Sequence, residues 1–588
     1  MAKILFTLFG ASSPGTQPLN VSILSSICNQ AGHTTALFDT TFMDLGFDLD
    51  TEVSQRDTVF EKIDYTKLNL IREDVDARQL FIQKIKDFKP DIIASSAMSD
   101  MFYWTHKILT YMKEQGFDIP VICGGVHSTL QPDDVMSYDC IDYNVIGEGE
   151  DVLLPLIDSI LNKKEPGPIT SVPVMYRKDG NIRKTTSALK LVNLDDLPFL
   201  NWEFFDDRQF YRPFMGQLVR SGDVQTMRGC PKRCSYCANA ELNKVYAMMD
   251  GWSGWRTYEP ERFVEEAKYL SKRHNLEFFK FYDEDMLLMP EENLAKLSEL
   301  YRKEVNVPFT MQCHPNSVSL KKSELLKNMN CASVTLSMEC GNYHYRRNIL
   351  NRHYTNEKFI NIVDILNTVG IRSAALTMIG MPFESRKMIF ETIELGRQAK
   401  ATHTNTNIFF PYFGTPLGDM ALDNKFCVED EVRKAKFDAS KTLLNTPQID
   451  PKEVEKIRKM WSFYVIWPKF MFPFFTWLEK DSFLRKNILK VFEKMNDVLK
   501  HILNNRDKSS RRALDIVEES KRIARGRASS LNTLDIEKSQ RKAKERVSGK
   551  YKEEKDKVLE KDKTPEIKIE SIFGTVKAKH VDQFHNQG

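Results

Sequence analysis

Short apolar runs separated by amphipathic segments organise the first 165 residues. "KILFTLFG" (3–10) is one run, "SILSSICNQAGHTTALFD" (22–39) reads as helix then strand, and "PDIIASSAM" (90–98), "PVICGGVHS" (120–128) and "YNVIGEGE" (143–150) continue the rhythm. Such alternation predicts a parallel, doubly wound (Rossmann-like) sheet over 1–165. Residues 45–80 fit it badly and read as an inserted, mostly helical excursion. Over 166–215 the texture becomes hairpin and linker, with Asp179-Gly180 between two alternating runs as the turn signal.

A second α/β series spans 216–420, with strands expected at "DVQTMRG", "EFFKFYD", "PFTMQCH", "ASVTLSME", "RSAALTMIGM" and "HTNTNIFF". Between the first two, "EPERFVEEAKYLSKR" sets Phe263, Val264, Ala267 and Leu270 on one helical face. Six strand–helix units predict a partial (β/α)6 barrel resembling a TIM barrel, with its chemistry at the carboxyl ends of the strands. Residues 421–500 read as helical and aromatic-rich. The stretch 501–588, with 22 Lys+Arg against 15 Asp+Glu, reads as a charged helical or disordered tail.

Composition narrows the function classes. A chain of 588 residues exceeds one core, and 41% apolar with 28% charged residues is ordinary for a soluble globular protein. A formal net charge of +3 argues against a nucleic-acid partner. The start "MAKILFTLFGASS" is a poor secretory signal, and no run reaches the about 20 apolar residues of a spanning helix. Ten cysteines in this length do not make a disulfide scaffold; three of them cluster, which points to metal in a reducing, cytoplasmic setting.

The cluster is "GCPKRCSYC" (229–237), with Cys230, Cys234 and Cys237. Structural zinc wants four closed ligands, usually as two pairs, and no second pair completes this loop. A four-iron cube held by three thiolates keeps one iron open for a small molecule. The spacing Cys-x3-Cys-x2-Cys, with Tyr236 before the third cysteine, resembles the signature of radical S-adenosylmethionine (SAM) enzymes. The resemblance implies a 4Fe-4S cluster whose open iron chelates the amino and carboxylate groups of SAM. It implies reductive cleavage to a 5′-deoxyadenosyl radical, an external electron donor such as flavodoxin or ferredoxin, and backbone around Tyr236 set against the adenine. Asp283 and Glu284 in "YDED", Glu339 in "LSMECGN", Arg352 in "NILNRHYT" and Gly380 in "MIGMPFES" resemble downstream family positions. There, Glu339 is expected at ribose hydroxyls and Gly380 at the adenine. Each also admits a structural reading as helix cap, surface pair or turn. His314 and the thiols Cys313, Cys331 and Cys340 read as structural residues.

In the amino-terminal half, Ser95 and Ser96 end one expected strand and Gly124-Gly125 another. Ser96-x-Met98 lies 28 residues before Gly124 and resembles the Ser-x-Leu and Gly-Gly elements of cobalamin-binding domains. Small residues there let a nucleotide tail thread along the sheet. "IGEGEDVLLPLI" (146–157) resembles the run that closes this domain in cobalamin-dependent radical SAM enzymes. The Asp-x-His-x-x-Gly element that supplies a histidine to cobalt is absent, so the expectation is cobalamin without a histidine ligand, or a domain that binds nothing; His127 reads as a loop hydrogen bond. Together these imply methylation of an unactivated carbon or phosphorus on a small or lipid-like substrate. Radical cyclisation or rearrangement, and a cofactor-sensing module without catalysis, are the alternatives. "MWSFYVIWPKFMFPFFTW" (460–477), with three Trp and six Phe or Tyr, reads as a helical cover on the barrel, a substrate wall or a peripheral membrane contact.

Overall fold

Residues 3–8 are apolar at nearly every position because both faces of this first strand are buried, as a central parallel strand requires. A computed structural model of the chain describes residues 1–10, 15–46, 63, 65–68, 70–167, 172–186, 191–249, 251–435, 437–480 and 483–528. Half of the excursion expected at 45–80, and the tail beyond 528, therefore lie outside the described residues.

The first sheet contains β1 (Lys3–Leu8), β2 (Thr34–Asp39), β3 (Ile92–Ser96), β4 (Val121–Gly124) and β5 (Tyr143–Val145), parallel in the order β2-β1-β3-β4-β5. The order reverses beside β1, the switch point where such sheets bind ligands. Strand register sets Ser96 of β3 directly beside Gly124 of β4. The hairpin β6 (Val174–Lys178) and β7 (Asn181–Lys184) turns through Asp179 and Gly180, both at positive φ. It is not a separate linker, because β6 pairs antiparallel with β5 and extends the first sheet past residue 165.

The second sheet begins with the antiparallel pair β8 (Tyr211–Phe214) and β9 (Gln217–Val224). It continues with β12 (Phe278–Phe281), β13 (Phe309–Cys313), β14 (Cys331–Glu339), β15 (Arg372–Ile379) and β16 (His403–Ile408). From β9 through β16 the strands are parallel and in sequence order, the partial six-stranded barrel. Helices cover its outer face; the helix Pro260–Arg273 buries Phe263, Val264, Ala267 and Leu270, the face its periodicity predicted. The first barrel strand differs from expectation. β9 stops at Val224, and β10 (Met227–Arg228) pairs instead with β11 (Arg256–Thr257) in a small separate sheet. The cause is a long-range contact: Thr226 and Met227 turn their N–H groups to the Asp283 carboxylate.

One apolar core runs through both sheets, from Ile4, Phe6 and Leu153 to Phe210, Phe263 and Phe279, with Trp202 wedged over Gly222. The aromatic stretch 460–477 forms short helices whose Trp461, Phe463, Tyr464 and Phe475 are buried against Ile379, Ile389 and Ile408, so it covers the last two barrel strands. Phe470 alone among its large apolar side chains stands well into solvent, at 78% exposure. Among the described residues no helix is long and apolar enough to cross a membrane.

The expectation of a solvated tail fails for its first part. The helix Lys508–Ala528 is docked under the amino end of the barrel, with Ala513 and Val517 buried against Val219, Phe278 and Ala332. Arg512 donates to the Cys331 carbonyl at 2.9 Å and Arg527 to the Leu276 carbonyl at 3.2 Å. Charge count hid a narrow stripe of small residues, Ser510, Ala513, Val517, Ser520 and Ala524, all buried. Val517→Asp, which leaves an uncompensated charge in that seam, is expected to lower the unfolding free energy by about 3–5 kcal/mol, read as a lowered denaturation midpoint. A wild-type midpoint would return Val517 to solvent.

Candidate active site at the facing strand ends

The loop from Gly229 to the helix Asn239–Tyr246 carries the three cysteines and is tied down along its length. Asn243 donates to the Cys230 carbonyl at 2.6 Å, Asn351 to the Arg233 carbonyl at 2.7 Å and Ser235 Oγ to the Ile349 carbonyl at 2.6 Å. Gly229 is at φ +91°, and a Cβ there would lie 2.5 Å from Trp252, so only glycine fits. Burial, above all, pushes the Cys230 thiol up to about 12 and Cys237 to about 11; the charge of Cys234 raises both, and that of Cys237 raises Cys230. Three mutually repelling thiolates want a shared cation, which fits an iron–sulfur cluster. Among the described residues no three Cys, His, Asp or Glu side chains already converge in ion-binding geometry. The fit therefore rests on the anchored loop and its donor set.

Four expected residues meet in one hydrogen-bonded chain. Arg352, buried, donates to Cys234 Sγ at 3.4 Å, to the Tyr236 hydroxyl at 2.9 Å and to the Ser337 carbonyl at 2.6 Å. Tyr236 in turn donates to Glu339 Oε1 at 2.9 Å. Glu339 ends β14 at φ +62°, where the register with β15 shifts, so the strand's last residue is twisted out of the ladder. A non-glycine residue held there costs of order 1–3 kcal/mol. Burial raises the Glu339 carboxyl, and the guanidinium of Arg352 opposes that rise.

The acidic run after β12 divides its work. Asp283 Oδ1 accepts from Thr226 N–H at 2.7 Å, Thr226 Oγ1 at 2.9 Å and Met227 N–H at 2.7 Å, which fixes the entry to the cysteine loop. Glu284 accepts from the backbone of Gly229 and keeps Oε2 buried without a partner. Asp285 accepts from Ser317 Oγ at 2.5 Å. Gly380, at φ +74°, has its absent Cβ facing Val454 at 2.8 Å, and its N–H donates to Glu384 at 2.7 Å. His314 accepts from Asn316 N–H through Nδ1 and caps a short turn; Cys313, Cys331 and Cys340 are buried.

A cavity of about 910 Å³ opens between the carboxyl ends of the two sheets. Ser95, Ser96, Gly124 and Gly125 line its first-sheet side, and Arg228 and Lys280 its barrel side. Ser95 Oγ is buried without a partner, whereas Ser96 Oγ accepts from Asn20 at 2.6 Å. Gly125 lies at φ +105° with its absent Cβ 2.8 Å from the Ala97 carbonyl. An orphaned hydroxyl and a side-chain-free floor fit a large polar ligand lying along the strand ends. His127 is taken up structurally, 3.1 Å from both Ser99 Oγ and Asp134 Oδ2. The loop after β1, which lacks the histidine element, docks on the barrel instead. Gln17 N–H donates to Asp223 Oδ2 at 3.1 Å, Asp223 N–H to Gln17 Oε1 at 2.9 Å, and Arg212 to Asp223 Oδ1 at 2.7 Å. No sequence signal marked this seam, because its partners stand about two hundred residues apart.

Comparison with known proteins agrees with this architecture. The model of the radical SAM superfamily matches residues 224–396, and that of the B12 binding domain matches residues 12–157. The chain carries a radical SAM domain. A B12-binding domain precedes its radical SAM barrel. This radical SAM protein is 22% identical over 387 residues to an uncharacterized methyltransferase of Pyrococcus horikoshii, covering 66% of this chain and 81% of that one. It is 25% identical over 387 residues to an anaerobic magnesium-protoporphyrin IX monomethyl ester cyclase of Rubrivivax gelatinosus, covering 64% of each, slightly less than two thirds of the cyclase. Its fold is like that of the cobalamin-dependent S-adenosylmethionine radical enzyme OxsB, with a TM-score of 0.56 at 12% identity over 95% of this chain and 81% of that one.

Burial raises Asp283 to about 7, against the three hydrogen bonds it accepts. A carboxyl raised on folding takes up a proton, so its contribution to stability declines as pH rises from the ordinary carboxylate range near 4 to about 7. Asp283→Asn keeps a carbonyl acceptor without the charge. Thermal unfolding of that variant is expected to lose this decline, gaining on the wild type as pH goes from 5 to 8. Parallel pH profiles would show that Asp283 is not a buried titrating group.

Proposed function

We propose that this radical SAM protein methylates an unactivated carbon or phosphorus of a small or lipid-like molecule, with SAM and cobalamin acting together. The observation that carries the reading is the single cavity shared by the first sheet's Ser–Gly strand ends and the barrel residue Arg228, two positions before Cys230. In this reading Cys230, Cys234 and Cys237 hold a 4Fe-4S cluster, and Ser95, Ser96, Gly124 and Gly125 hold cobalamin without a histidine on cobalt. When bound, these groups supply a radical able to remove hydrogen from carbon and a methyl group for transfer.

The chain's own residues do the positioning. Arg352 sets its positive charge on Cys234 and fixes the Tyr236 hydroxyl, which orients Glu339. Glu339 Oε2 is then the acceptor for a ribose hydroxyl of SAM, and Glu284 Oε2 an acceptor for an N–H of its amino group. Glu384 gathers the N–H groups of Gly380 and Met381 and keeps the end of β15 in one conformation beside the nucleoside. Asp283 holds the base of the cysteine loop. An external flavodoxin- or ferredoxin-like protein supplies the electron. A second reading, radical cyclisation, is favoured by the resemblance to the porphyrin-ester cyclase.

Anaerobic reconstitution with iron, sulfide and cobalamin, then reaction with methyl-labelled SAM, separates the readings. Label in product supports transfer, and label confined to methionine or unused SAM supports cyclisation. Cys234→Ala is expected to lose the tetranuclear Mössbauer signal and to lower 5′-deoxyadenosine formation by at least about a thousandfold, a barrier change of roughly 4 kcal/mol. Retained cleavage would contradict the cluster assignment.

A further inference from the structure

Between the first sheet and the cysteine loop lies a buried ion cluster that the reaction chemistry above does not use. Glu148 and Glu150, from the loop after β5, face two guanidiniums of the small β10–β11 sheet. Arg228 meets Glu150 at 2.7 Å and Glu148 at 3.3 Å, and Arg256 pairs with Glu148 as well. All four side chains are at most 15% exposed.

Three observations make this more than a domain clasp. Glu148, Glu150 and Arg228 all line the 910 Å³ cavity, so whatever fills it touches the cluster. Glu148 Oε2 is buried without a partner. That oxygen is an acceptor for an amide N–H, the donor that the carboxamide arms of a corrinoid carry at their rim. Finally, the path from Arg228 to the first cysteine is stiff. Gly229 is packed against Trp252 and the Gly254 carbonyl, and its N–H is held by Glu284. On the other side Gly147, at φ +111°, is packed on Val172, so the glutamate loop has no slack either. A displacement of either carboxylate is passed to Cys230 rather than absorbed.

We propose that Glu148 and Glu150 are positioning residues that couple the two cofactor sites: Glu148 takes an amide N–H of the corrinoid with its free oxygen, and Glu150 relays the resulting placement through Arg228 to the cysteine loop. This rests on the cobalamin reading above. Coupling between sites is reciprocal, so the cluster must also alter corrinoid binding.

The test is the dissociation constant for hydroxocobalamin, followed by its absorbance, in full-length protein with and without the reconstituted oxidised cluster. In the wild type the cluster is expected to tighten binding at least about fivefold. Glu150→Gln is expected to bring that ratio to about one, and Glu150→Asp to restore part of it. Glu148→Gln, which loses the charged acceptor from which the relay starts, is expected to weaken binding about tenfold in the cluster-free protein and to bring the ratio to about one as well. A merely structural role would shift both forms together in every variant. A wild-type ratio of one overturns the inference without any variant, and so does a full ratio in Glu150→Gln. If the wild type binds hydroxocobalamin without coupling, only this inference falls; if it binds none, the cobalamin reading falls with it.

Discussion

Two parallel sheets turn their carboxyl ends toward one another, and the molecule depends on the polar seam that holds them there. Gln17 exchanges backbone and side-chain hydrogen bonds with Asp223, and Glu148 and Glu150 hold Arg228. Parallel strands leave unpaired groups and loops at their ends, and each sheet alone would expose that surface to water. Facing them encloses a cavity instead. Because buried charges cost several kcal/mol each unless paired, the seam is stable in only a narrow set of relative placements.

The site inherits its order from that constraint. Asp283 draws Thr226 and Met227 out of the barrel ladder, which releases β10 to form its own small sheet just ahead of the cysteine loop. Arg352 reaches from beyond β14 to Cys234 and Tyr236, and Tyr236 reaches Glu339. Charge near the thiols is thereby arranged before any ligand arrives, which is the preorganisation that cofactor chemistry asks of a protein. The core beneath is continuous across both sheets, so neither half packs as an independent unit.

Much of the fold was legible because its physics is local. Apolar runs such as residues 3–8 and 92–96 are written for strands buried on two faces, and the face Phe263, Val264, Ala267 and Leu270 has the period of a helix. The candidate ligands were legible for a similar reason: three thiols within eight positions form one loop wherever it lies. Illegible were the docking of the helix Lys508–Ala528, whose abundant charge masks a stripe of small residues, and the true end of β9, decided by a carboxylate nearly sixty positions later.

By itself, then, the sequence determined the kinds of element, their order, and the presence of a thiolate loop and a Ser–Gly floor, because periodicity and spacing act over a few residues. Tertiary structure alone decided which carboxylates are structural ties and which stand free, that Tyr236, Glu339 and Arg352 form one chain, and that Glu148 and Glu150 reach the cysteine loop. Those outcomes depend on burial and on partners distant along the chain, since a charged group's role is set by what shares its low-dielectric surroundings and not by its neighbours in sequence.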